Sequence, residues 1–114
     1  MMILGILASI AVPSYKQSVI KARETILSEN LYQMRRAIDA YFADRMTYPQ
    51  ALEDLVQDKY LYAIPVDPFT RANDTWQVVP PEADSEGRVA PGSVFDVHSG
   101  SDLIGLDGRP YQEW

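Results

Sequence analysis

The chain contains no cysteine and a single histidine, His98. Without cysteine, no disulfide can brace the fold and no thiolate is available as a nucleophile or zinc ligand. The lone histidine lies in a stretch that alternates like a strand and has no cysteine or second histidine to share a metal with. Ser99 and Ser101 are near it in sequence, but no glycine-flanked nucleophile elbow surrounds them. Asp67 and Asp96 could be paired on paper, yet their sequence context gives neither an acid nor a base role. Basic residues are also scarce, ten against sixteen acidic ones. From Thr47 onward four basic residues face twelve acidic ones, whereas Met1 to Met46 has six against four, so the balance runs from plus two to minus eight. An acidic second part repels phosphate backbones, which argues against nucleic acid as a partner and suits a divalent cation or a basic surface. The last shortage is of apolar length. A bilayer-spanning helix takes about 20 apolar residues, and the charge-free run MMILGILASIAVPSY, Met1 to Tyr15, has fifteen before Lys16.

That run admits three readings. As a secretory signal it has a small-x-small site at Ser9-Ile10-Ala11, but no positive residues precede the apolar stretch. As a buried core helix it has a suitable length, but Gly5 and Pro13 both weaken a helix interior. As the rear of a longer membrane helix it fits better, because the helical phase continues through Pro13 into the polar segment that follows. Pro13 removes a backbone donor, so a bend is expected around Ala8 to Ile10. Gly5 lowers local helix stability by roughly 1 kcal/mol relative to alanine.

From Ile20 the apolar residues Leu27, Leu31, Met34, Ile38 and Tyr41 recur at spacings of three and four, one face of an amphipathic helix, with Phe42 widening the stripe. Its expected role is to pack on the chain's own head. The other face carries Lys21, Glu24, Glu29, Arg35, Arg36 and Asp39, read as solvated with weak ion pairs. Thr47-Tyr48-Pro49 ends the helix. A short helix is expected over Gln50 to Gln57, a rigid connection at Ile64-Pro65-Val66-Asp67-Pro68, and strands at Thr75 to Val79 and Ser93 to His98. Pro80 to Gly92 reads as an exposed loop, and Ser99 to Trp114 as a loop punctuated by Gly100, Gly105 and Gly108. Trp76, Phe95, Tyr111 and Trp114 are the expected aromatic core of the head. The fold class is therefore α+β: a long N-terminal helix packed on a small head with a short helix and a small antiparallel sheet. Three parts follow: an apolar part of the helix (1–15), its amphipathic continuation (16–46), and the head with its C-terminal loop (47–114).

In this order and spacing the residues resemble the type IV pilin-like superfamily, most closely the major (G-type) pseudopilins of bacterial type II secretion. Gly5 to Tyr15, GILASIAVPSY, is similar to the second half of that family's N-terminal helix. Thr47-Tyr48-Pro49, the Leu52 to Leu61 segment and Ile64-Pro65-Val66-Asp67-Pro68-Phe69 resemble its stretch from helix end to first strand, and the glycine- and aspartate-bearing tail with a terminal tryptophan resembles its ending. Trp76 to Gly92 matches only in kind. The family's basic leader, cleavage site and early acidic residue have no counterpart here. The expectation is that the reading frame upstream encodes them.

The resemblance implies a non-enzymatic subunit of a filament. It would form a homopolymer with copies of itself, joined by minor pseudopilins and an inner-membrane assembly platform. It would be anchored in the bacterial inner membrane by a single methylated helix, with its head in the periplasm. Gly5, Pro13 and Tyr15 are the implied assembly-helix residues. Calcium is the one implied cofactor, with Ser99, Ser101, Asp102 and Asp107 as its candidate ligands, completed by carbonyls near Leu103. These are hard oxygen donors of the type calcium takes, although the spacing is not that of an EF-hand and Asp-Gly pairs also make plain turns. Two rival readings remain at this point. One is a type IV pilus subunit, whose head usually carries a disulfide that this chain cannot form. The other is a secreted binding module released by cleavage near Ala11.

Overall fold

The computed structural model describes the backbone from Met2 and the side chains from Tyr15 to Trp114. Gly5 and Pro13, with the bend expected around Ala8 to Ile10, lie outside the residues described to that level. Helix α1 (Met2–Arg45) is followed by α2 (Leu52–Gln57), strands β1 (Gln77–Val79) and β2 (Asp96–His98), and a 3₁₀ turn at Tyr111–Glu113. The fold is α+β, as the patterning predicts, with a long helix, a short one and an antiparallel pair in the register Gln77↔His98, Val78↔Val97 and Val79↔Asp96.

The periodic stripe of α1 is the spine of the core. Leu27, Leu31, Met34, Ile38 and Tyr41 are buried together with Leu52 and Leu55 of α2, and with Trp76, Val94, Val97 and Tyr111. Fully burying one such aliphatic side chain is worth about 1.5–3 kcal/mol, so this cluster dominates the stability of the head. Helix α1 stops where Met46 turns into the left-handed region at φ 57°, its N–H still donating to the Phe42 carbonyl at 2.8 Å. This left-handed cap lets the chain reverse into Tyr48-Pro49.

Three elements are shorter than the sequence suggests, each for a local reason. Helix α2 begins at Leu52 rather than Gln50 because Ala51 is extended (φ −151°, ψ 162°) and the Gln50 N–H is taken by the Asp54 carboxylate at 3.0 Å. Strand β1 omits Thr75 and Trp76, whose side chains bond elsewhere: Thr75 to the Thr70 hydroxyl at 2.7 Å and the Trp76 indole N–H to the Pro65 carbonyl at 2.8 Å. Strand β2 begins at Asp96 because the N–H groups of Ser93 and Val94 both turn to the Pro49 carbonyl, at 3.0 and 2.9 Å.

Phe95 corrects the expected aromatic core. Neighbouring residues of an extended chain point opposite ways, Val94 takes the inward position, and Phe95 is left 47% exposed, edge-on to Tyr48 with ring centres 5.3 Å apart. Trp76 and Tyr111 are buried as expected, and Trp114 packs partly buried against the core.

From Val94 the chain descends alongside α1. The Val94 N–H bonds Pro49 at the upper end, Asp96 meets Arg35 midway, and the Leu106 N–H reaches Glu24 at the lower end. Gly100 permits this descent, since a Cβ there would run into the Thr75 carbonyl.

Candidate functional site

The seam between α1 and the tail is closed by two side chains that the sequence reading assigns to solvent. Arg35 donates from Nε to Asp96 Oδ1 at 2.8 Å, and from Nη2 to the Val97 and Trp114 carbonyls at 2.9 and 2.6 Å. Glu24 Oε2 accepts the Tyr111 hydroxyl at 2.8 Å and the Leu106 N–H at 2.9 Å. The two lie eleven residues apart, close to three helical turns at 3.6 residues each, so both project from one flank. The signal was available: Glu24, Leu27, Leu31, Arg35 and Ile38 continue a single three-and-four spacing, which puts both charges on the edge of the buried stripe rather than opposite it. A charged group bonded to a partly buried partner makes a stronger hydrogen bond than a neutral one.

Tyr111 is buried between these anchors, stacked on Phe69 with ring centres 4.0 Å apart and edge-on to Trp114 at 5.1 Å. Burial, and then donation to Glu24, pushes its phenol well above the usual value of 10.0, so the hydroxyl stays protonated and keeps donating.

A second polar chain fixes the start of the tail. Asp67 is wholly buried. Its Oδ1 accepts the N–H of Phe69 at 2.8 Å and of Thr70 at 3.3 Å, and its Oδ2 accepts the Ser99 hydroxyl at 2.5 Å. Ser99 Oγ accepts the Ser101 N–H, and Ser101 Oγ accepts the Leu103 N–H, both at 3.1 Å. This relay ties the rigid Pro65 to Pro68 connection to the descending tail, and it supplies the partners that a buried carboxylate requires.

The candidate calcium ligands are thus distributed as follows. Ser99 and Ser101 are buried in the relay with their oxygens engaged. Asp102 is exposed. Asp107 accepts the Arg109 backbone N–H at 3.0 Å and its Nε at 3.1 Å, which holds its carboxyl below the usual carboxylate range. Among the described residues, no group of three or more Asp, Glu, His or Cys side chains could hold a metal ion. An ion held by these four would have to take Asp107 from Arg109 and Ser99 from Asp67. The turn chemistry of Asp107-Gly108 is what the geometry displays.

Of the assembly-helix residues, Tyr15 is 71% exposed on α1, and Gly5 and Pro13 lie outside the described side chains. Among the described residues, no helix is long and apolar enough to cross a membrane. His98 places Nε2 3.7 Å from Asp96 Oδ2 and buries an Nδ1 that has no hydrogen-bond partner among the described residues. The Ser99 hydroxyl beside it is committed to Asp67 rather than to the imidazole.

No family model matches this chain, and no solved structure matches it. Among curated proteins it is similar to one of Pseudomonas aeruginosa strain PAO1 described as type II secretion system core protein G. The two are 31% identical over 123 aligned positions, covering 94% of this chain and 76% of that protein.

Proposed function

The chain belongs to the core protein G family of type II secretion systems, and from that premise we propose that it is a structural subunit of a pseudopilus, assembled through α1 to support export across the outer membrane. The likeness over 94% of the chain carries this reading, and the way the head uses the helix supports it. Among the described residues, the first α1 side chain to bond the tail is Glu24 and the first wholly buried one is Leu27, while Tyr15 to Ser18 are exposed. The head therefore takes the later turns of α1 and leaves the earlier ones for another role.

In this reading the charge-free residues 1–15 reside in the inner membrane and pass into the filament core, exchanging lipid contact for helix contact. The amphipathic residues 16–46 carry the head, and residues 47–114 face the periplasm and tile the filament surface. Its partners are copies of itself, minor pseudopilins and the inner-membrane platform. Its work is mechanical rather than catalytic.

The test is deletion of the gene in its own host, scored by the fraction of secreted protein held in the periplasm, together with electron microscopy of cells that overproduce the chain. Retained cargo and thin filaments containing this chain are the expected result. Unimpaired export with no filament would overturn the proposal.

A further inference from the structure

The head carries two apolar patches at opposite ends. At the lower end, beside Glu24, Leu103, Ile104 and Leu106 are 52%, 66% and 48% exposed. Leu103 and Ile104 lead into, and Leu106 lies within, a tight turn in which the Gly105 N–H bonds the Arg109 carbonyl and the Gly108 N–H bonds the Gly105 carbonyl. At the upper end, Tyr48, Val79, Pro81, Glu82, Ala90 and Phe95 line a hollow of about 300 Å³, against the last turns of α1 where Phe42 stacks on Tyr48 at 4.3 Å. Glu24 and Phe42 are about 27 Å apart along the axis at 1.5 Å per residue. One patch projects and the other recedes, and exposed apolar surface of this kind marks contact sites.

Charge is divided in the same sense. Below the lower turn, α1 presents the exposed Lys16 and Lys21, while the turn itself carries the exposed Asp102 and an Asp107 paired with Arg109. The loop that rims the hollow presents the exposed Glu82, Asp84 and Glu86, of which Glu86 is paired with Arg88, so the loop stays net acidic. That loop is fixed in shape: the Asp84 N–H bonds the Arg88 carbonyl at 2.8 Å, and Asp84 Oδ1 accepts the Glu86 and Arg88 N–H groups, both at 2.9 Å. A preformed loop loses little entropy on docking.

We propose that the lower turn of one copy seats in the upper hollow of the next, with the basic stretch of α1 facing the acidic loop. This rests on the pseudopilus reading and adds which faces of the head meet. Because the two surfaces differ, the contact is heterologous, and its repetition gives an open polymer rather than a closed pair. Apolar burial supplies the adhesion, and the end-to-end charge difference sets the orientation in which copies meet.

The absence of cysteine makes the test clean. Ile104→Cys and Ala90→Cys are placed singly and together in the full chain, in cells that assemble it, and exposed to a short bismaleimide. The double variant is expected to give a ladder of covalent multimers, and each single variant to remain monomeric. Dimers from Ile104→Cys alone would mean that like patches meet, and would overturn the proposal. So would filaments without a ladder, or an Ile104→Cys thiol shielded equally in unassembled and assembled copies, which would assign the lower turn to lipid. Absence of filaments from the unsubstituted chain would instead overturn the pseudopilus reading beneath it. As a second measure, Ile104→Asp should leave the melting temperature of the head unchanged while cutting assembled polymer at least ten-fold. Polymer at the unsubstituted level would count against the contact.

Discussion

Helix α1 is held on its two flanks by different physics. Towards α2 and the turn after it, contact is mainly apolar and aromatic, with Leu52 and Leu55 in the core, Tyr41 edge-on to Tyr60 at 5.3 Å and Arg45 over the Tyr60 ring at 5.9 Å, beside one hydrogen bond from the Tyr60 hydroxyl to Asp44. Towards the tail, Val94, Val97 and Tyr111 add to the buried cluster, and the polar contact is concentrated in two side chains, Glu24 and Arg35, that accept or donate five hydrogen bonds between them. Burial spread over many atoms tolerates the loss of any one polar group. A clamp of few bonds fails when a single residue is changed, and answers to pH.

The contrast can be broken from the apolar side first. Ile38→Ala removes a wholly buried side chain and should cost about 2–5 kcal/mol, seen as a lower denaturation midpoint that hardly depends on salt. A cost under ~1 kcal/mol would show that the stripe does not carry the core. Next in size is Asp67→Ala, which strips the Ser99 hydroxyl and two backbone N–H groups of their acceptor and should cost about 2–3 kcal/mol. Asp67→Asn, which keeps one acceptor oxygen, should recover part of it in the same denaturation series. Arg35→Ala should cost about 2 kcal/mol and speed amide exchange at Val97 and Trp114 while leaving Leu55 protected. Uniform acceleration across both flanks would erase the distinction between them.

A pH titration sharpens it further. The Tyr111 phenol is raised from 10.0 by burial and by Glu24, so the unfolded chain ionises first. The stability it lends is complete below about pH 10 and falls as pH rises towards the raised folded value. Tyr111→Phe should flatten that alkaline loss, and an unaltered slope would remove Tyr111 as its source. The smallest expected effect is that of chelator. With Ser99, Ser101 and Asp107 already engaged within the chain, the melting temperature should not move. A fall of several degrees would make those residues calcium ligands after all.

What was legible in the sequence follows the same division. The three-and-four spacing from Leu27 to Tyr41 placed the spine of the core, and Thr47-Tyr48-Pro49 placed the end of α1, because periodicity and proline sterics act locally. The roles of Glu24 and Arg35 were not read, since a charge on a helix is solvated by default and only its position at the edge of the stripe hints otherwise. The sequence marks Asp67 as part of a rigid connection but not as a buried acceptor, because its partner Ser99 is 32 residues away. Composition alone puts Phe95 in the core. Whether it faces in or out depended on Val94 and the Pro49 carbonyl, which composition does not report.

The lower end of the seam bears on how the head comes into being. The bonds from Arg35 to Trp114, from Leu106 to Glu24 and from Tyr111 to Glu24 join residues 79, 82 and 87 positions apart. At ribosomal speeds of about 5–20 residues per second, α1 emerges several seconds before the segment that must lie against its flank. Until residues 106–114 follow, Glu24 lacks both of its tail partners, Arg35 lacks the Trp114 carbonyl, and part of the apolar stripe stands open. Such long-range closure is slow because loop entropy is spent before contacts form. A nascent chain of this kind has reason to be held by a chaperone or a membrane surface until its last turn arrives.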